Sequence, residues 1–212
     1  MDNNIFDLNC TRCKRLAQHL KQVRHEFPHY HAKPVPPFGV AKPRLLIVGL
    51  APGMHGANAT GRPFTGDHAG ILLYNSLYTY GFSNNAKAVS LSDGLVLKHC
   101  RITNAVKCLP PENKPTGEEI TTCNTYLANE LQLMKAGGAI LTLGGIAHQS
   151  VLKALDLKKS SYPFAHGKQY LLPNDVTLFT SYHCSRYNTQ TKRLTEKMFH
   201  QVFAQIKTYL AL

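Results

Sequence analysis

The chain has 212 residues, 43% of them hydrophobic; at roughly 100–200 residues per domain it is expected to fold as a single domain over 1–212. Twenty-four Lys and Arg stand against 12 Asp and Glu, a formal charge of +12. That composition excludes charge-driven disorder and points to an acidic macromolecular partner. The apolar stretch Ala136–Ala147 is shorter than the roughly 20 residues of a spanning helix. The opening MDNNIFDLNC lacks the basic and apolar regions of a secretory signal, so a cytoplasmic, monomeric protein with no membrane partner is expected.

In chain order, the first feature is Cys10 and Cys13, a C-x2-C at the start of a helix. HAKPVPPFGVAKPR follows, where four prolines forbid a helix and the sequence reads as a linker. Four apolar runs bounded by turn signals predict buried strands at Arg44–Leu50, Arg101–Val106, Ala139–Leu143 and Val176–Ser181. Helical patterns lie between and after them. One starts at Asp67, placed as an N-cap. Another begins with a capping-box spacing, Thr116 to Glu119, and is expected to stop at Gly137. IAHQSVLKAL predicts a short helix, and the stretch from Thr191 closes the chain. Alternating strands and helices predict an α/β fold: a three-layer α/β/α sandwich with a central, mostly parallel four-stranded sheet. In such sheets the site lies beyond the carboxyl ends of the strands.

After the first strand comes GLAPGMHGANATGRPFTGD, with Gly49, Ala51, Gly53, Phe64 and Asp67. Asp67 is the only acid between Glu26 and Asp93. It reads equally as a helix cap or as a lone carboxylate in a glycine-lined pocket that positions water or faces a developing cation. Phe64 reads as core or as a shelf for a flat ligand. After the second strand come Asn104, whose amide can meet a base edge with a donor and an acceptor together, and Asn113 beside Lys114. After the fourth, SYHCSRYNTQTKRLT carries His183, Ser185, Arg186, Tyr187, Asn188, Lys192 and Arg193, a set suited to gripping phosphates. Cys108 and Cys123 complete a set of four thiols with the C-x2-C. On spacing alone these fit zinc, an iron–sulfur cluster or buried small residues.

Together these segments resemble the uracil-DNA glycosylase superfamily, specifically its iron–sulfur branches, families 4 and 5. The long first motif and HCSRYNTQTKRLT are similar to family 5, whereas Asn104 matches the base-reading asparagine of family 4. The resemblance runs along nearly the whole chain and implies a monofunctional glycosylase that hydrolyses uracil, and other deaminated bases, from DNA. It implies that Cys10, Cys13, Cys108 and Cys123 hold a [4Fe-4S] cluster and that Asp67 is the catalytic acid residue. Phe64 would stack on the flipped base beside Gly49, Ala51 and Gly53. Asn113 would position water, His183 would hydrogen-bond the uracil carbonyl, and the loop after His183 would enter the duplex. The family's usual proline after this histidine is Cys184 here. A family 4-like enzyme and a non-catalytic nucleic-acid-binding module with a structural metal are the alternative expectations.

Overall fold

The computed structural model describes residues 6–212. The four expected strands are present as β2 (Leu45–Gly49), β3 (Cys100–Asn104), β4 (Ala139–Leu143) and β6 (Thr177–Ser181), all mutually parallel where they pair. The sheet has six strands rather than four; with β1 (Phe38–Gly39) and β5 (Gln169–Leu171) added, the order is β1-β3-β2-β4-β6-β5. The two extra strands are antiparallel edges. Their brevity hides them from any period-2 pattern, and β1 lies inside the proline-rich stretch read as a linker. Short edges of this kind limit unwanted pairing with other chains.

Every residue of β2 is buried, because helices cover both faces. Leu45 and Ile47 pack with α3 (His68–Thr79) and α7 (Glu196–Leu210), through Leu73, Phe199 and Phe203. Leu46 and Val48 turn the other way, onto Leu127 of α4 (Gly117–Leu131) and Val151 of α5 (Gly145–Ala154). The three-layer sandwich follows from this alternation. A third apolar cluster docks α1 (Lys14–Glu26) through Leu16, Leu20 and Val23 onto Val106, Cys108 and Leu109, just past β3. Among the described residues, no helix is long and apolar enough to cross a membrane.

The two caps read from sequence form. The Asp67 side chain accepts from Gly70 N, and Thr116 and Glu119 make a reciprocal capping box. Two helix boundaries differ from expectation. α4 ends at Leu131, six residues before Gly137, and residues 132–134 form a turn before β4. The C-terminal stretch begins not at Thr191 but at Glu196, capped by Thr195, and a separate α6 (Arg186–Gln190) precedes it. Ser185 and Thr195 each take an N-cap hydrogen bond, so the chain breaks between two competing helix starts.

One ion pair sits wholly inside the core. Lys107 Nζ donates to Glu130 Oε1 at 2.7 Å and to Thr103 Oγ1, and both charged side chains are at most 1% exposed. It ties β3 and the segment after it to α4. Breaking such a pair strands a charge in low dielectric, whereas replacing both partners is far milder. Lys107→Met is therefore expected to cost about 3–5 kcal/mol of unfolding free energy, and adding Glu130→Leu to recover most of it. Urea denaturation of the three proteins checks this; equal midpoints would contradict it.

Candidate active site

The parallel strands bring their carboxyl ends to one rim. Gly49 is the register partner of Asn104, so the tips of β2 and β3 lie side by side. The Phe64 ring leans over both. A Cβ on Gly49 would fall 2.4 Å from Asn104 Oδ1 and 2.6 Å from Phe64 Cζ, so only glycine fits under this contact. Phe64 is 5% exposed and takes a positive φ of 55°, a conformation that a side-chain-bearing residue keeps only when its surroundings enforce it. Its ring stacks against His183, with centroids 5.9 Å apart and planes at 30°.

These residues border a cavity of about 420 Å³. Ala51, Gly53, Phe64, Asp67, Asn104, Asn113, His183, Ser185 and Arg186 all line it, so the strand-end segments singled out in the sequence converge. Leu50, Ala57 and Ala69 also line it, and sequence reasoning passed over them: small apolar side chains carry no chemical signal, though all three adjoin or lie within the first motif. Gly49 lies beneath the lining and supports it.

Asp67 is a helix cap that also borders the cavity. Oδ1 accepts from Gly70 N at 2.9 Å and caps α3, while the carboxylate borders the cavity. A Cβ on Gly56 would lie 2.4 Å from Asp67 Cβ, so that glycine admits the side chain. Burial raises the Asp67 pKa, against the lowering effect of the Gly70 and Ala69 amides. The next residue ties two loops together: the His68 ring lies 3.2 Å from Thr189 Oγ1 on α6. Asn104 is 3% exposed, and its Oδ1 has no protein partner. A buried amide left open at a cavity edge is suited to a ligand with complementary donors and acceptors. Asn113 closes a short 3-10 turn, Pro111–Asn113, at a positive φ of 56°, which asparagine tolerates better than most residues.

The loop after His183 divides. Arg186 and Tyr187 are exposed, Tyr187 to 69%. Lys192 and Arg193 are exposed too, with the Arg193 guanidinium 4.8 Å from the centre of the Tyr182 ring. Asn188 turns inward: its Nδ2 donates to His183 O at 2.8 Å, so it braces the histidine. Ser185 accepts from Asn188 N and starts α6. Cys184 is fully buried as a free thiol, and nothing in the structure explains its presence at this position.

The four cysteines of the predicted set line a second, smaller cavity with Arg12, Lys107 and Tyr126. Lys107 N donates to Cys123 Sγ at 3.3 Å, and Arg12 lies 4.3 Å over the Tyr126 ring. Among the described residues, no three His, Cys, Asp or Glu side chains gather around a position for a single metal ion. Burial pushes the Cys13 thiol up to about 11 and that of Cys108 higher still, with the neighbouring thiols adding to the rise.

The sequence model of the uracil DNA glycosylase superfamily matches residues 36–207, and the chain belongs to that superfamily. Within it, the chain is 42% identical to the type-5 uracil-DNA glycosylase of Thermus thermophilus over the full length of both. It is 40% identical to the type-5 uracil-DNA glycosylase of Pyrobaculum aerophilum, covering 92% of this chain and 86% of that one. The type-4 uracil-DNA glycosylase of Sulfurisphaera tokodaii is 29% identical over 92% of this chain and 79% of its own.

Burial pushes the His183 pKa down to about 4, so the ring is neutral and one nitrogen carries a hydrogen to donate. The linkage has a definite sign. The unfolded chain titrates near 6.5, above the folded value. This residue's contribution to stability is therefore complete above about pH 6.5 and is lost as pH falls toward about 4. Following the ring resonances by NMR is expected to give a His183 midpoint near 4; a midpoint near 6.5 would contradict the burial.

Proposed function

We propose that this chain is a monofunctional DNA glycosylase that hydrolyses the N-glycosidic bond of uracil in DNA and leaves an abasic site. The observation that carries this reading is the single cavity bordered by Phe64, Asp67, Asn104, Asn113 and His183. The type-5 relatives at 40–42% identity support the same chemistry.

Cleavage of the bond between C1′ and the base nitrogen leaves its electron pair on the base and positive charge on the sugar. The neutral His183 ring donates a hydrogen bond to a carbonyl oxygen of the departing uracil and stabilises the first charge. The Asp67 carboxylate faces the second. Water held by Asn113 adds to C1′, and its proton passes toward Asp67, whose raised pKa suits it to receive one. Phe64 stacks on the base, and Asn104 reads its edge, donating to O4 and accepting from N3–H. Cytosine presents the reverse pattern and leaves both amide atoms mispaired, at about 1–3 kcal/mol. The amine nucleophile of a lyase is not called for.

A base inside a duplex must be flipped out before it reaches this cavity, at a cost of a few kcal/mol. The exposed Tyr187 is the wedge that offsets this, and Arg186, Lys192 and Arg193 hold phosphates around it. The +12 charge supplies a salt-sensitive, non-specific grip on DNA. The enzyme works as a cytoplasmic monomer on DNA that holds uracil or other deaminated bases.

Cys10, Cys13, Cys108 and Cys123 would hold a [4Fe-4S] cluster. The four thiols around one cavity support this reading. Through Cys10, Cys13 and Cys108 it would tie the amino-terminal segment to the segment leading into the Asn113 turn. Protein purified without oxygen is expected to be brown and to contain iron, and Cys108→Ala to bleach it and lower its melting temperature. A colourless, zinc-loaded active protein would contradict the cluster.

The direct test incubates the protein with a duplex bearing one uracil, followed by alkali. Strand breakage at the uracil position is expected, and cytosine in its place is to be left intact. Asn104→Ala is expected to lower uracil turnover and narrow its lead over hypoxanthine. Binding without breakage at any salt concentration would overturn the enzymatic reading in favour of a binding module.

A further inference from the structure

Phe64 keeps a left-handed backbone conformation in the middle of the first motif, and the residues on either side are held from outside the cavity. Arg62 is 2% exposed and grips Asp93 with both terminal nitrogens, at 2.9 and 2.5 Å. Its Nε donates to Thr65 Oγ1 at 2.8 Å, so one guanidinium reaches across Phe64. Pro63 O, just before Phe64, takes a hydrogen bond from Tyr74 OH at 2.8 Å. Beyond Phe64, Gly66 N donates to Ala88 O at 3.3 Å.

Asp93 is itself rigidly placed. Its carboxylate accepts from the backbone N–H groups of Val89, Ser90 and Leu95. Arg62 and these amides hold its pKa well below the usual carboxylate range. The loop around it is closed by Asn84, whose side chain joins Gly94 O and Val96 N. It is rooted in the core at Phe82 and Leu97. A fixed anchor, a two-pronged ion pair and a bridge over Phe64 form a continuous mechanical path from the core to the aromatic shelf. Neither Arg62 nor Asp93 lines the cavity.

We propose that the Arg62–Asp93 pair is a positioning clamp that sets the place of Phe64, and through the same turn that of Asp67, for catalysis. The inference rests on the glycosylase reading for its kinetic consequence but not for its structural one. A bidentate fork fixes orientation as well as distance, which a single point charge does not. Displacement of a substrate-positioning group by about 1 Å can cost on the order of 100-fold in rate. The phosphate grip proposed above belongs to Arg186, Lys192 and Arg193, so affinity for DNA without uracil is expected to stay the same.

The test compares wild type with Asp93→Asn and with Thr65→Val, which leaves the Arg62–Asp93 pair in place and removes the bridge to Arg62 Nε together with the Thr65 Oγ1 hydrogen bond to Pro63 O at 3.3 Å. With 4-fluorophenylalanine at the nine Phe positions, the Phe64 fluorine resonance is assigned by its loss in Phe64→Leu. Asp93→Asn is expected to shift or broaden that resonance in a protein that remains folded. It is also expected to lower kcat for uracil excision by roughly 10–100-fold, a larger change than any in KM, measured well below its melting temperature. Thr65→Val is expected to do the same to a smaller degree, and decides the matter if Asp93→Asn does not fold. An unchanged Phe64 resonance, an unchanged kcat, or a loss confined to KM would overturn the clamp. Absence of uracil excision in the wild type would instead overturn the glycosylase reading, and the fluorine spectrum would still decide the clamp.

Discussion

A single carboxylate has to serve two masters in this fold. The first turn of α3 leaves N–H groups without partners, and Asp67 supplies one acceptor through Oδ1. The same side chain borders the cavity, where burial works against its charge and raises its pKa. The cap fixes the carboxylate in one rotamer, and Gly56 leaves the space for it. An acid placed this way costs no reorganisation when a positive centre develops nearby, which is the condition for electrostatic catalysis.

The rest of the site follows from strand register. Because β2, β3, β4 and β6 run parallel, their carboxyl ends open at one edge, and the segments leaving β2, β3 and β6 meet there. Gly49 and Asn104 are paired across two of these ends, and Phe64 folds down over them. His183 leaves β6 to stack on Phe64 from the far side. Burial among its neighbours disfavours the charged ring, and the depressed pKa is the consequence. Burial thus acts on two titratable groups in opposite senses, keeping an imidazole neutral and making a carboxylate more basic. Such divergence between neighbouring groups is what an acid–base assignment looks like in structural terms.

Chemistry-bearing residues were more legible in the sequence than the elements that carry them. Runs such as Ala139–Leu143 announce a doubly covered strand, and the Thr116–Glu119 spacing announces a helix start. β1 and β5 left no trace, since two or three residues show no period and their pairing depends on β3 and β6. Gly137 suggested a helix end, but α4 ends six residues earlier, at Leu131. The last motif held the largest surprise. Asn188, read as a phosphate contact, also braces His183 O, a consequence of how α6 turns the chain that composition does not encode. The ion pair of Arg62 and Asp93 spans 31 positions and was equally silent. Side chains that position others carry no motif of their own.

Asp67 caps α3 and is proposed to act as the reacting carboxylate, and one substitution separates the two roles. Asparagine caps helices as well as aspartate does, so Asp67→Asn keeps the shape and removes only the charge. Single-turnover excision of uracil from a duplex, measured beside a thermal melt, tests this directly. A rate lower by roughly 10²–10⁴-fold with an unchanged melting temperature is predicted. A rate close to that of the wild type in a normally folded protein would contradict it and leave Asp67 as a helix cap alone.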